Sequence, residues 1–176
     1  AINEVAKFIR RGKIIALKSL GGFHLICDAH NTQAVKKLRQ AKQRPDKPFA
    51  LMALNHLSLE PYVELNENSK QYLTHSTALI VLVPKKSGCD DLLKDIAPGL
   101  SQLGCMLPYT PLHYLVFQAL SDQSSEQQWL TKFSETALVI TSANLSGEPL
   151  IIDNHTCQHK LSTVVDYFLL HDRDIT

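Results

Sequence analysis

The feature that most constrains this chain is the alternation of short apolar runs with apolar stripes of helical period. Ile14-Ile15-Ala16-Leu17 is a continuous apolar run of strand length, and Phe23 to Cys27 reads as a second strand after the turn Ser19-Leu20-Gly21-Gly22. Ahead of them, Ile2, Val5, Ala6 and Ile9 repeat at helical spacing, and Gly12 closes that helix. Behind them, Asn31 caps a helix whose apolar face is Ala34, Val35, Leu38 and Ala41, and which must end before Pro45. Phe49 to Leu54 is a further apolar run. Leu57 to Leu73 reads as helical in pieces, broken at Pro61. Ala78 to Val83, dominated by Ile, Leu and Val, predicts a strand, followed by a polar loop over Pro84 to Asp91. Gln102 to Met106 predicts a short strand, and Leu112, Leu115, Val116, Ala119 and Leu120 a helical stripe. Ser121 to Gln128 reads as polar and mobile, and Ala137 to Thr141 and Val164 to Leu170 as strands. This alternation predicts an α/β domain on an open, largely buried sheet. With 176 residues and no internal repeat or linker, residues 1–176 read as one domain.

Charge and cysteine usage exclude several classes. Net charge is +1, so no global field draws the chain to nucleic acid or anionic lipid, and any anion site must be local. No apolar run approaches the length needed to cross a bilayer, and the N-terminus has no signal-peptide core. Cys27, Cys89, Cys105 and Cys157 are scattered without a CxxC pair, and read as reduced thiols of a cytoplasmic protein. His155, Cys157 and His159 lack a nearby fourth ligand, so no metal site is expected there. No GxSxG elbow marks a hydrolase. The start at Ala1 and the close on Asp172-Arg173-Asp174-Ile175-Thr176 read as a domain taken from a longer polypeptide.

Four segments could carry chemistry. Lys42, Arg44 and Lys47 fall within six residues, on a backbone stiffened by Pro45 and Pro48. Such cations grip polyphosphate, Arg with two donors at once and Lys as a compact charge; a solvated basic turn at a helix C-terminus would look the same. Thr141-Ser142-Ala143-Asn144-Leu145-Ser146-Gly147 follows a strand, a place where α/β folds build ligand sites or ordinary polar turns. Lys18-Ser19-Leu20-Gly21-Gly22-Phe23-His24 could bring backbone N–H groups to a ligand, or form a plain hairpin; it has neither GxGxxG nor P-loop spacing. In Leu107-Pro108-Tyr109-Thr110-Pro111-Leu112-His113, Thr110 is placed to cap a helix whose first residue is Pro111, and a helix N-terminus can also hold an anion.

In this order, the segments resemble the YrdC-like family of acyl-adenylate-forming domains, from about Ile14 to Leu170. Lys42-x-Arg44-Pro45 with Lys47-Pro48 looks like that family's nucleotide motif, and Thr141-Ser142-Ala143-Asn144-x-Ser146-Gly147 like its second ATP motif. Cys27-Asp28-Ala29 and Ser162-Thr163-Val164-Val165-Asp166 are similar to it as well. Gly21-Gly22-Phe23-His24-Leu25, the segment Leu107 to His113, and Leu170-His171-Asp172-Arg173-Asp174 resemble the branch found in carbamoyltransferases of [NiFe]-hydrogenase maturation. The branch that makes threonylcarbamoyl-adenylate for tRNA modification typically has Arg where Met106 stands; the hydrogenase branch usually has Gly where Ser19 stands.

The resemblance implies a twisted open mixed sheet with flanking helices. It also implies a reaction: carbamate, released from carbamoyl phosphate by another domain of the same polypeptide, attacks ATP and yields carbamoyl-adenylate and pyrophosphate. The carbamoyl group then passes to a cysteine on a partner maturation protein. Lys42, Arg44 and Lys47 would hold phosphates, with Ser142 and Asn144 completing the nucleotide cradle, and Lys42 and Arg44 taking the catalytic part. Lys18, His24 and Thr110 are candidates for the carbamate side. Mg²⁺ is expected with ATP, without an identified ligand set. Double-stranded RNA binding, described for similar domains, gains little from a net charge of +1.

Overall fold

A computed structural model describes residues 1–121, 127–144 and 148–175. Seven strands form one mixed sheet: β1 (Ile15–Lys18), β2 (Phe23–Asp28), β3 (Ala50–Ala53), β4 (Val81–Pro84), β5 (Gln102–Met106), β6 (Ala137–Ser142) and β7 (Tyr167–Leu169). Their order across the sheet is β4-β5-β3-β6-β2-β1-β7. The β1/β7 and β3/β5 pairs are parallel and the remaining pairs antiparallel. This is the twisted mixed α/β sheet that the apolar runs and the resemblance implied.

The helices are α1 (Ile2–Arg10), α2 (Thr32–Ala41), α3 (Glu67–Leu73), α4 (Cys89–Leu92), α5 (Pro111–Ser121) and α6 (Asn154–Leu161). Local chemistry sets their ends. The Asn31 side chain accepts from Ala34 N at 3.0 Å and starts α2. The Thr110 hydroxyl accepts from His113 N at 3.2 Å, with Pro111 as the first residue of α5. Gly12, at φ +71°, turns the chain after α1.

Alternation along the strands separates two cores. On one face, Ile15, Leu17, Ile26, Met52, Leu138 and Ile140 pack under α1 and α5 through Val5, Ile9, Val116 and Phe117. On the other, Ala16, Leu25, Leu51, Val139 and Cys105 pack with Val35 and Leu38 of α2 and Leu161 of α6. All four cysteines are free and buried. Among the described residues no helix is long and apolar enough to cross a membrane.

Several elements differ from expectation. The apolar run at 78–83 is an edge, with β4 beginning only at Val81, Ala78 at φ +52°, and Ile80 and Leu82 57% and 63% exposed. β4 pairs with β5 on one side, and Pro84 suits an edge strand, where an unpaired position needs no N–H. Within 57–73, only a single 3₁₀ turn (Leu57–Leu59) and α3 are helical; Asn66 and Ser69 cap α3 reciprocally. The expected loop at 84–91 contains the start of α4. The strand expected over 164–170 is confined to β7, because the N–H groups of Val164 and Val165 turn back to Leu161 O. Of the expected polar segment 121–128, residues 122–126 lie outside the described residues, while Ser121 ends α5 and Gln127 opens a 3₁₀ turn.

Candidate nucleotide site

The chain between α2 and β3 meets the end of β6. Gln43, at φ +48°, reverses the backbone directly after α2, and Arg44 N returns to Arg39 O at 3.0 Å. Left-handed backbone is unusual for a residue with a side chain, so this turn is held by its surroundings. Lys42, buried, points back to the end of β6. Its ammonium donates to Ser142 O at 2.8 Å, to Asn144 O, and more weakly to Asn144 Oδ1 at 3.4 Å. Ser142 Oγ donates to Asn144 Oδ1 at 2.6 Å, and Asn144 Nδ2 donates to Glu148 O at 2.6 Å. One cation therefore closes a turn whose amide and hydroxyl groups are already ordered among themselves. Burial, then the nearby Arg44 charge, push the Lys42 amine down to about 8.

Arg44 takes a different direction. Nη1 donates to Thr141 Oγ1 at 3.2 Å and Nη2 to Pro48 O at 2.9 Å, while Nε is buried without a partner among the described residues. The guanidinium lies 5.4 Å from the centroid of the Phe49 ring. It borders an open cleft of about 490 Å³, on the part of the α1/α5 face of the sheet that those helices leave uncovered. Ser142, Thr141 and Arg44 form its polar side, and Phe49, Ile80, Leu82, Met106 and Ile140 its apolar side. Gly104 lies on its floor; a Cβ there would stand 3.1 Å from Ile80 Cγ2. The exposed apolar run of β4 thus has an explanation: it is the wall of a cleft.

His24 and Tyr109 close the far side of the cleft. Behind them lies His113, 3% exposed, with its ring centroid 5.8 Å from that of His24 and 4.8 Å from that of Tyr109. Neither ring nitrogen of His113 has a partner among the described residues, and His24 Nδ1 has none. Burial pushes His24 down to about 4 and, with the neighbouring His24, His113 down to about 3, so both imidazoles are neutral at pH 7. Tyr109 OH lies 3.2 Å from Ser19 Oγ, tying this wall to the β1–β2 turn.

The residues picked from sequence separate by position. Arg44, Ser142 and His24 line the cleft, and Lys42 and Asn144 stand directly behind Ser142. Lys47 is exposed on the loop, outside the lining. Thr110 is buried, its hydroxyl engaged as the cap of α5. Lys18 is on the opposite face of the sheet: it pairs with Phe23 rather than His24, and its ammonium donates to His171 O at 3.0 Å. Thr141, Tyr109 and His113 fall within the segments singled out from sequence but were not among the residues picked from them, and the run that forms the β4 wall was read only as a strand. Ser146 lies outside the described residues. Among the described residues no group of His, Cys, Asp or Glu is arranged to hold a metal ion.

Residues 7–176 match the Sua5/YciO/YrdC family model, described as "Telomere recombination". Carbamoyltransferase HypF2 of Cupriavidus necator is 45% identical over 174 residues, covering 99% of this chain and 22% of that protein. Threonylcarbamoyl-AMP synthase of Photobacterium profundum is 32% identical over 154 residues, covering 84% of this chain and 74% of that one. A crystal structure of full-length HypF in a phosphate- and nucleotide-bound form aligns with a TM-score of 0.87 at 38% identity, covering 99% of this chain and 25% of that chain. The chain spans about a fifth of the length of the carbamoyltransferases it matches.

Proposed function

Because the chain belongs to the Sua5/YciO/YrdC family, we propose that its cleft binds ATP and joins carbamate to the adenylyl group, forming carbamoyl-adenylate and releasing pyrophosphate. The observation that carries this reading is the meeting of two distant segments: Arg44 at the cleft edge, bonded to Thr141, with Lys42 closing the turn behind Ser142. The similarity to full-length HypF in a nucleotide-bound form supports it.

The chemistry needs little from the protein beyond charge and alignment. Carbamate is anionic near neutral pH, so its oxygen attacks the α-phosphorus of ATP without a general base. The new bond joins that oxygen to phosphorus, and the bond to the β-phosphate oxygen breaks, its electron pair leaving with pyrophosphate. Arg44 supplies a planar pair of donors, and the Thr141 hydroxyl, which accepts from Arg44 and keeps its own proton, supplies a neutral one, to oxygens whose charge grows during the transfer, while Ser142 orders the turn beside them through its bond to Asn144. Lys47, exposed on its loop, adds a compact cation to the outer phosphates. Lys42 and Asn144 act from behind, by fixing Ser142.

His24 is the carbamate-side candidate within the cleft. A neutral imidazole can both donate and accept, which suits a group presenting oxygen and amine together. Thr110 contributes by fixing the start of α5, and Lys18 by holding the strand end from the opposite face. Among the described residues no carboxylate lines the cleft. A magnesium ion entering with ATP would be held by the phosphates, and it would neutralise charge there.

In the full polypeptide, another domain would release carbamate from carbamoyl phosphate. A further domain would pass the carbamoyl group to a cysteine of a partner protein in [NiFe]-hydrogenase maturation. The 32% identity to a threonylcarbamoyl-AMP synthase favours a second reading, in which the acyl group is an N-substituted carbamate. Apolar Met106 on the cleft wall, in place of that branch's Arg, weighs against it. ATP–pyrophosphate exchange dependent on carbamoyl phosphate tests the first reading. Arg44→Ala should slow exchange about a hundred- to a thousandfold, and Asn144→Ala, which acts through Ser142, should slow it about ten- to a hundredfold. Rates equal to wild type would remove these residues from the site.

A further inference from the structure

Arg39 lies in the last turn of α2, outside the cleft, yet the loop that carries Arg44 is built around it. Its Nη1 donates toward the carbonyl oxygens of Arg44, Pro45 and Lys47, at 2.6, 2.9 and 3.0 Å. Its Nε and Nη2 donate to Asp95 O at 3.2 and 2.6 Å, and Nη2 also reaches Ile96 O at 3.2 Å. Its guanidinium carbon lies 4.8 Å from the centroid of Phe49, the ring that Arg44 also approaches. Five carbonyl oxygens from two separate segments converge on one side chain.

Both segments need holding. Gln43, which opens the first, is at φ +48°, and Asp95, in the second, is at φ +63°. Neither is glycine, so each sits in backbone that persists only where its surroundings enforce it. Phe49 N closes the link by donating to Ile96 O at 2.9 Å.

We propose that Arg39 is a positioning residue for the nucleotide site, acting through Arg44. It holds residues 44–47 in the shape from which the Arg44 guanidinium reaches the cleft. The role rests on the ATP reading above and deepens it. It requires arginine, because one planar fork serves two segments at once; a lysine keeps the charge but not the fork.

The test is ATP affinity, measured by calorimetry in the full polypeptide that carries this chain, for Arg39→Lys, Arg44→Ala and the double variant. Arg39→Gln, which keeps a planar donor, runs beside Arg39→Lys so that the cycle does not depend on one variant folding. Arg39→Lys should weaken ATP binding about tenfold, the scale of removing a group that orients a ligand-binding side chain. The double variant should bind no more weakly than Arg44→Ala, because the effect passes through Arg44. Wild-type affinity in Arg39→Lys, or losses that multiply in the double variant, would overturn the role. Wild-type affinity in Arg44→Ala would instead sink the ATP reading of this site, and the role of Arg39 with it.

Discussion

The Lys42 ammonium donates to the Ser142 carbonyl at 2.8 Å, across 100 positions of sequence. This contact joins the loop after α2 to the end of β6, and the strand order brings them together: β3, which follows the loop, lies directly beside β6. The cation sits where desolvation disfavours its charge, and the carbonyls of a turn oppose that penalty.

That balance predicts a proton linkage. The folded value of Lys42 is about 8, below the ordinary 10.5, so the unfolded chain binds more protons between these values. Without ligand, stability attributable to Lys42 therefore rises as pH increases from 8 to 10.5. Polyphosphate favours the charged amine, so ATP binding above pH 8 takes up a proton and weakens as pH rises. Calorimetry at high pH, in buffers of different ionisation enthalpy, measures the uptake. Lys42→Met should abolish it.

The imidazole pair predicts the opposite end of the pH range. His24 and His113 are pushed down to about 4 and about 3 from 6.5, so the unfolded chain binds more protons below the ordinary value. Stability is then complete above pH 6.5 and falls on acidification toward 4 and 3. The slope approaches about 1.4 kcal/mol per pH unit for each imidazole. Denaturant unfolding across this range measures it, and His113→Phe should make the slope shallower.

Gly104 predicts how tightly the cleft is fitted. A side chain there meets Ile80 Cγ2 at 3.1 Å and fills the floor beneath β4. Gly104→Val should weaken ATP binding by about tenfold or more, the range by which a misplaced binding contact acts, while the chain still unfolds cooperatively. Affinity unchanged in this variant would mean that the nucleotide does not use this part of the cleft.

Much of the fold was legible because its signals are local. Asn31 caps α2 and Thr110 caps α5, each bonding within three residues, and the core-facing residues of α1 repeat at helical period. The run at 78–83 misled because apolar content reports that a strand is apolar, not what covers it; here the cover is a cleft. The site was legible in part. Lys42, Arg44, Ser142 and Asn144 do meet, but the spacing could not say that Lys42 turns inward to the backbone while Arg44 turns to the cleft. Lys18 and His24 were read together, although hairpin register puts them on opposite faces: Lys18 pairs with Phe23 and Leu17 with His24. Arg39 gave no signal, since a cation in the last turn of a helix is ordinary.

Thr110 predicts a purely structural cost. Its hydroxyl caps α5 at His113 N, so Thr110→Val should lower stability by about 1 kcal/mol. Thermal or denaturant unfolding measures this, and ATP affinity should change little.

If carbamate oxygen attacks the α-phosphorus of ATP in this cleft, that oxygen is carried into AMP. Carbamoyl phosphate labelled with heavy oxygen at both carbamoyl oxygens reads this out, with the full polypeptide, ATP and an acceptor. Carbamoyl-adenylate formation, followed by carbamoyl transfer, leaves one labelled oxygen on the phosphate of the released AMP, and mass spectrometry should find it there in wild type and lose it in Arg44→Ala. AMP formed at the same rate without the label would rule out that attack.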